Sequence, residues 1–243
     1  MSGAEFGVRG FLDGWDPETG KSLWRRYTIP GPGEPGSETW PTETDAYKRG
    51  GGSTWITGSY DPELDLSYWG TSNGGPWTWK ARPGDNLWVA SVIAIRPKTG
   101  EIVWHYQWTP AETYDFDGNN ENVLGELTIN GKTRKVLMHA PKNGYVFVLD
   151  RANGKPISII DVSGVPSEIT STVVAVLSRL VFDYAIWARD EPQRPILLVC
   201  EEAHRYIPSS TSGSGQAVRK ILERIAKEGR KYGVSLGLIT QRP

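Results

Sequence analysis

Tryptophan is distributed very unevenly along this 243-residue chain: ten of its eleven tryptophans precede residue 158, and only Trp187 follows it. The hydrophobic pattern changes at the same place. Before it, short apolar runs alternate with turns rich in glycine, proline and asparagine, whereas after it apolar residues recur at helical spacing or form continuous runs. Because one fold rarely produces both patterns, the sequence predicts two domains, residues 1–157 and 158–243.

A short repeat characterises the first part. Residues 16–24 (DPETGKSLW) return as residues 96–104 (RPKTGEIVW), and residues 150–155 (DRANGK) begin a third copy. The first two copies are typical of a strand, a tight turn and a second strand ending in tryptophan, whose indole could stack on a neighbouring copy; the third copy lacks the tryptophan. The repeat predicts an all-β partial propeller of roughly two to three antiparallel blades. A β-sandwich with coincidentally similar turns is the alternative.

Six segments of the first part are similar to sequences of one enzyme family. They are residues 3–10 (GAEFGVRG), 51–55 (GGSTW), 60–66 (YDPELDL), 70–77 (GTSNGGPW), 109–116 (TPAETYDF) and 140–144 (APKNG). Together they resemble the pyrroloquinoline-quinone (PQQ) methanol and ethanol dehydrogenases, which are quinoproteins. The resemblance implies an alcohol dehydrogenase that oxidises a small primary alcohol with PQQ and Ca²⁺ as cofactors.

The same resemblance implies a site for the metal and the quinone. Glu5, Asn73 and Asp115 match the family's calcium ligands, and oxygen ligands suit a hard cation. Asp115 also matches the catalytic base, which takes the alcohol proton, and Trp55 matches an indole that stacks on the flat cofactor. Four further residues match positions at the cofactor's polar rim: Ser2, Gly3, Ala4 and Ser53.

Outside the family, each of these residues has an ordinary alternative role. Glu5, close to the start of the sequence, could be a solvated side chain, and Asn73, before two glycines, could form a turn. Asp115 could be a carboxylate of an exposed loop, and Trp55 could belong to the core. The ordered match of all four favours descent from the quinoprotein site.

The second part has the pattern of a parallel α/β sheet. Its predicted elements are a strand near residues 159–162, a helix after Pro166, a strand at 195–200, a helix at 216–232 and a strand at 234–240. The helix at 216–232 should bury Val218, Ile221, Leu222 and Ile225 and end at Gly233. This β-α-β-α-β order predicts parallel strands joined by right-handed crossovers.

Two acidic residues follow the apolar strand of this part. Residues 201–205 (EEAHR), with 159–164 (IIDVSG), 224–233 (RIAKEGRKYG) and 240–243 (TQRP), resemble HerA-type P-loop ATPases, which are hexameric DNA-translocating motors. The resemblance implies that Glu201 positions Mg²⁺, Glu202 polarises the attacking water of ATP hydrolysis, and Gln241 is a polar sensor. The alternative is an ordinary acidic loop after a buried strand. No G-x-x-x-x-G-K-[ST] motif occurs, so we expect no ATPase activity.

Composition and charge exclude several other classes of function. Cys200 is the only cysteine, which rules out an internal disulfide and a site of several cysteine ligands, and the net charge of −1 favours neither nucleic acid nor membrane. No signal peptide is visible, so the chain as written is expected in the cytoplasm, although the dehydrogenase family is periplasmic. The apolar stretch 173–187 contains Arg179 and Asp183 and is expected to be too short and too charged to span a membrane.

Three functional hypotheses remain: a quinoprotein oxidoreductase, a nucleotide-driven DNA motor, and a chimera without catalysis. The family's vicinal cysteine pair, which forms the opposite wall of the quinone slot, is absent. We therefore expect a fragment of a PQQ- and calcium-dependent alcohol dehydrogenase fused to a fragment of a HerA-type ATPase, inactive in both respects.

Overall fold

The computed structural model describes residues 7–161, 167–188, 195–200, 203–205, 207 and 215–240. The chain divides into two compact units, Met1–Ser163 and Gly164–Pro243. The division follows residue 163, whereas the sequence predicts a junction after residue 157.

The described secondary structure of the first unit is almost entirely antiparallel β. Its strands are β1 (Phe11–Trp15), β2 (Ser22–Tyr27), β3 (Ser59–Asp61), β4 (Leu66–Gly70), β5 (Ser91–Ile95), β6 (Ile102–Gln107), β7 (Val123–Ile129), β8 (Lys132–His139), β9 (Tyr145–Asp150) and β10 (Pro156–Asp161). Short 3-10 turns occupy Ser37–Thr39, Ala46–Arg49 and Trp79–Ala81. The strands form a β1–β2 hairpin and two four-stranded sheets, β3-β4-β5-β6 and β10-β9-β8-β7. The prediction of antiparallel, blade-like sheets is confirmed.

The repeat in the sequence marks contacts between successive turns. A Cβ atom at Gly100 would lie 2.5 Å from Cε3 of Trp24, and one at Gly154 would lie 2.4 Å from Cε3 of Trp104. The indole Nε1 of Trp24 also donates a hydrogen bond of 2.9 Å to the carbonyl oxygen of Pro97. The tryptophan that ends one copy therefore packs on the turn glycine of the next, as the sequence predicts.

Apolar residues of both four-stranded sheets share one core. Tyr68 from β4, Trp104 from β6 and Phe147 from β9 belong to the same cluster, together with Leu137 and Leu149, which are fully buried. All five residues of β5, an inner strand of its sheet, are buried, so both faces of this strand are covered. This packing makes the two sheets parts of one unit.

Strand β10 corrects one assignment of the sequence analysis. Ile159, Ile160 and Asp161 pair antiparallel with Phe147, Val146 and Tyr145 of β9. The predicted strand therefore exists, but it completes the second β-sheet of the first unit and does not open the α/β part. The backbone of β10 forms hydrogen bonds with the edge of β9. Sequence periodicity does not reveal which strand is the partner.

The second unit contains two helices and a parallel pair of strands: α1 (Ser167–Trp187), β11 (Ile196–Cys200), α2 (Gly215–Glu228) and β12 (Val234–Leu238). Short 3-10 turns occupy Ala203–Arg205 and Gly229–Tyr232. Strands β11 and β12 pair in parallel, from Ile196 opposite Val234 to Cys200 opposite Leu238. The four inward residues predicted for α2 are all buried, and Gly233, with φ 72°, adopts the left-handed conformation that ends the helical segment.

Helix α1 leaves one apolar face largely exposed. Val176, Leu177 and Leu180 each expose more than half of their surface, whereas Phe182 is fully buried. The segment Ile169–Trp187, 19 residues long, is sufficiently long and apolar to cross a membrane by length and composition alone. The expectation of no membrane span considered the shorter stretch 173–187. A single helix of this kind is weak evidence for a span, since core helices of soluble proteins meet the same criterion.

Candidate functional site

Two chain segments run side by side at the predicted quinone site. Gly52 N donates to the carbonyl oxygen of Asn73 at 2.8 Å, and Ser72 N donates to that of Ser53 at 2.8 Å. The hydroxyls of Ser53 and Ser72 lie 2.8 Å apart, and both side chains are buried. Gly51 has φ +75°, and a Cβ there would lie 2.5 Å from the carbonyl oxygen of Asn73, so only glycine allows this close approach.

Asn73 links this segment to the loop that carries Asp115. The side chain of Asn73 is fully buried. Its Nδ2 donates a hydrogen bond to Oδ1 of Asp115, 42 residues away, and its Oδ1 accepts one of 2.9 Å from the main-chain N of Asp117. The structure therefore brings together two of the three predicted calcium ligands, and the amide of Asn73 forms tertiary contacts beyond those of a local turn.

The loop of Asp115 has an unusual backbone conformation. Ala111, Asp115 and Asp117 have φ values of 50°, 61° and 51°, in the left-handed region that non-glycine residues rarely adopt. Asp115 is exposed, and the neighbouring rings of Tyr114 and Phe116 stack with centroids 5.3 Å apart. Such a loop persists only where surrounding contacts hold it.

Two charged residues that sequence reasoning missed support this loop. Glu112 is 1% exposed, and its Oε1 accepts hydrogen bonds from Tyr114 N and from Phe116 N, the latter at 3.3 Å. Arg82 is fully buried; it donates to Pro76 O at 2.6 Å, to Asn86 Oδ1 at 2.7 Å and to Glu112 O. Burial lowers the pKa of Arg82, and the charge of Glu112 opposes this effect.

A second missed pair contains Asp117, whose main-chain N binds Asn73. The carboxylate Oδ2 of Asp117 lies 3.4 Å from Nζ of Lys142, in the predicted segment 140–144. Asp117 follows Asp115 by two residues, and this spacing is the only signal in the sequence that could have placed it near the site.

Trp55 exposes 52% of its surface, so it is not a core residue of the described structure. Its ring is available for stacking, as the resemblance requires. Ser53 is 1% exposed and lies next to Ser72.

Seven of the predicted site residues lie outside the described residues: Ser2, Gly3, Ala4, Glu5, Glu201, Glu202 and Gln241. Residues 7–10 of the N-terminal segment are described, and the backbones of Val8 and Gly10 hydrogen-bond to that of Gly51, at 3.0 and 2.8 Å.

The oxygen atoms of Asn73 and Asp115 are suitable ligands for a hard cation. Asn73 Oδ1 has a second lone pair beside the one that accepts from Asp117 N, and Oδ2 of Asp115 forms no hydrogen bond within the described residues. Amide and carboxylate oxygens are ligands that Ca²⁺ prefers. The described residues contain no group of three His, Cys, Asp or Glu side chains placed to hold a metal, so a complete site needs further ligands.

The part of the chain that contains this site is similar to several known proteins. The chain is 51% identical over 168 residues to the quinohemoprotein alcohol dehydrogenase ADH IIB of Pseudomonas putida, an alignment that covers 64% of the chain and 24% of that protein. The solved structure of quinohemoprotein alcohol dehydrogenase ADHIIG from Pseudomonas putida HK5 superposes with a TM-score of 0.61 and 46% identity, over 66% of this chain and 25% of that one. A europium-containing methanol dehydrogenase superposes with a TM-score of 0.62 and 42% identity, over 66% and 31%.

The chain thus spans about a quarter of the length of the curated relatives it matches. A PQQ family model, described as the β-propeller domain of glucose/ethanol/alcohol dehydrogenases, matches residues 3–174. This range covers more than half of the chain and includes Asn73, Asp115 and Trp55. Over these residues, the chain belongs to the PQQ-dependent glucose, ethanol and alcohol dehydrogenase family of β-propeller domains.

Proposed function

We propose that the first unit is the part of a PQQ-dependent alcohol dehydrogenase that contributes the catalytic base and part of the metal site. The observation that carries this proposal is the side-chain hydrogen bond between Asn73 and Asp115. This bond brings together two polar residues far apart in sequence that both match metal ligands of the family, although each alone has an ordinary local explanation.

Each described site residue has a definite role in this proposal. Asp115 is exposed, so its carboxylate can accept the hydroxyl proton of an alcohol. Asn73 binds the Oδ1 atom of Asp115 and thereby orients the carboxylate. The exposed ring of Trp55 offers a flat surface on which a planar quinone stacks. PQQ, when bound, supplies the acceptor for the hydride that leaves the alcohol carbon.

Glu5, Asn73 and Asp115 would hold the metal, and Ser2, Gly3, Ala4 and Ser53 would lie at the quinone's polar rim. The family resemblance favours Ca²⁺ as the metal. One structural relative contains europium, which is also a hard cation. The substrate class is a small primary alcohol, and the compartment of the family is the periplasm; the cytoplasmic location expected from the sequence stays a prediction.

Calorimetric titration of the 243-residue chain with PQQ, in the presence of Ca²⁺, La³⁺ or a chelator, tests this function. We expect binding of PQQ that depends on the metal. Asn73→Ala and Asp115→Asn should each weaken it by about tenfold or more, because each removes an oxygen ligand or its charge. Asp45→Asn is the matched control, since Asp45 is an exposed carboxylate paired only with the nearby Lys48 among the described residues.

Because the chain holds only part of a propeller, it is expected to bind the quinone weakly or not at all and to be inactive by itself. The proposed function requires only that binding depends on the metal and on Asn73 and Asp115. Metal-independent binding, or binding that survives both substitutions, would contradict the proposed site. Tight, metal-dependent binding of PQQ would instead overturn only the expectation of weak binding, and it would agree with the proposed function.

For the second unit, we propose no activity. The parallel pairing of β11 with β12 is compatible with many α/β folds, including that of HerA-type ATPases. The family match ends at residue 174, and the residues that would bind Mg²⁺, water and ATP lie outside the described residues. The expectation of no ATPase activity therefore stays a prediction, and a DNA partner and a hexamer stay implications of the sequence resemblance alone.

A further inference from the structure

Glu112 is a buried acid beside the proposed catalytic base. It precedes Asp115 by three residues, yet it is 1% exposed, whereas Asp115 is exposed. Its Oε1 accepts hydrogen bonds from Tyr114 N and Phe116 N, the main-chain groups of the two residues that flank Asp115. One carboxylate oxygen therefore fixes the backbone on both sides of the base.

Within the part of the chain that the structure describes, only one of the two carboxylate oxygens of Glu112 forms hydrogen bonds, so these bonds do not fully compensate its burial. Its Oε2 is buried and has no hydrogen-bond partner among the described residues. Burial of a carboxylate is unfavourable unless it is well compensated. We therefore expect the Glu112 side chain to stabilise the conformation of the backbone that it binds.

Arg82 connects the support of Asp115 to the support of Asn73. A Cβ atom at Gly74 would lie 2.6 Å from Cζ of Arg82, so the guanidinium packs directly against the residue that follows Asn73. The same guanidinium donates to the main-chain oxygen of Glu112. Its positive charge also compensates the buried carboxylate.

We infer that Glu112 is a positioning residue, supported by Arg82: its carboxylate holds the left-handed turn that presents the Asp115 carboxylate to Asn73. This inference rests on the proposed function of Asp115 and Asn73. It assigns to Glu112 no contact with the metal, the quinone or the alcohol.

Two substitutions distinguish the hydrogen-bonding role of the Glu112 side chain from an effect of its charge. Glu112→Gln keeps an acceptor oxygen at the same distance from the backbone, so it should hold the turn. Glu112→Ala removes the acceptor and leaves two amides without their partner. Glu101→Ala is the control, because Glu101 is exposed and its side chain forms no hydrogen bond or ion pair with the described residues.

Nuclear magnetic resonance of the 243-residue chain without ligands measures the turn directly. In Glu112→Ala, we expect the amides of Tyr114 and Phe116 to exchange with solvent at least tenfold faster than in the unsubstituted chain. The Nδ2 signals of Asn73 should shift as their hydrogen bond to Asp115 is lost. Glu112→Gln and Glu101→Ala should retain both properties. If Glu112→Ala does not fold, Glu112→Asp, whose carboxylate is one methylene shorter, replaces it.

Titration with Ca²⁺ and PQQ completes the test, and about tenfold weaker binding is expected for Glu112→Ala but not for Glu112→Gln. Unchanged exchange at Tyr114 and Phe116, together with unchanged Asn73 signals, would overturn the positioning role even if the chain binds PQQ. Equal loss of these signals in Glu112→Gln would overturn it too. If the unsubstituted chain does not bind PQQ, the proposed function fails, while the resonance data still decide whether Glu112 holds the turn.

Discussion

His139 is a buried base in the core of the first unit. Its ring lies flat on the indole of Trp108, with centroids 4.2 Å apart and an interplanar angle of 4°. The residue is 2% exposed, and burial lowers its pKa from 6.5 to about 4. The folded chain therefore holds the neutral imidazole over the pH range in which an exposed histidine becomes protonated.

This pKa predicts a loss of stability in mild acid. Because the unfolded chain binds the proton more tightly, the contribution of His139 is fully present above about pH 6.5 and falls as the pH drops toward about 4. The maximal loss is about 3 kcal/mol. His139→Phe keeps a stacked ring without a titrating group, so its unfolding free energy in urea should decrease less between pH 7 and 4. Equal pH dependence in the two proteins would show that His139 does not titrate differently in the folded state.

At this scale, the sequence could predict the functional residues but not their supports. Asn73, Asp115 and Trp55 stand in ordered motifs, and their exposure and contacts are compatible with the proposed roles. Arg82 lies outside the matched segments, and Glu112 lies in segment 109–116 but has no role implied by the resemblance. Their importance arises from burial and from backbone contacts that only the fold creates. An arginine and a glutamate in a polar loop are ordinarily interpreted as solvated side chains.

At the scale of elements, the tryptophan–glycine contacts give a prediction with an internal control. Gly20, Gly100 and Gly154 occupy equivalent turns and have φ values of 67°, 69° and 71°. Nothing lies within 4 Å of a Cβ at Gly20, whereas indoles lie within 2.5 Å at the other two positions.

Alanine at Gly20 should therefore cost about 1–2 kcal/mol, the penalty for an L-residue in the left-handed conformation alone. Alanine at Gly100 or Gly154 should cost a further 1–3 kcal/mol or so, because the indole must move. Urea unfolding of the three variants checks this order. Equal losses of stability in all three would mean that the indoles adjust freely and do not fix the turns.

The two helices show which patterns a sequence can resolve. Helix α2 has one apolar face and a charged remainder, so its buried residues could be predicted correctly. Helix α1 is apolar on more than one side: Phe182 and Ala185 are buried, while Val176 and Leu180 are exposed. Periodicity finds an apolar face in such a helix but cannot decide which face the neighbouring elements cover.

At the scale of the whole molecule, each unit has its own core. In the first unit, Leu137 and Leu149 belong to a cluster built from the β-sheets. In the second, Val218 and Ile225 of α2 belong to a cluster with Phe182 of α1. The step in tryptophan content predicts two folding units, but not their boundary, because β10 contains few residues that distinguish a last blade strand from a first α/β strand.

The separate cores predict that the two units respond independently to substitutions. Ten of the eleven tryptophans precede residue 158, so fluorescence reports mainly on the first unit. Both described α-helices lie in the second unit, so far-ultraviolet circular dichroism reports mainly on that unit.

Leu149→Ala and Ile225→Ala each remove a fully or almost fully buried side chain and should each cost about 2–5 kcal/mol in their own unit. In urea, Leu149→Ala should lower only the fluorescence midpoint, and Ile225→Ala only the dichroism midpoint. The double variant should show both shifts unchanged, because substitutions in independent units are additive. A single transition that either substitution moves in both signals would instead require cooperative unfolding of the whole chain, and the division after residue 163 would then describe geometry without energetic independence.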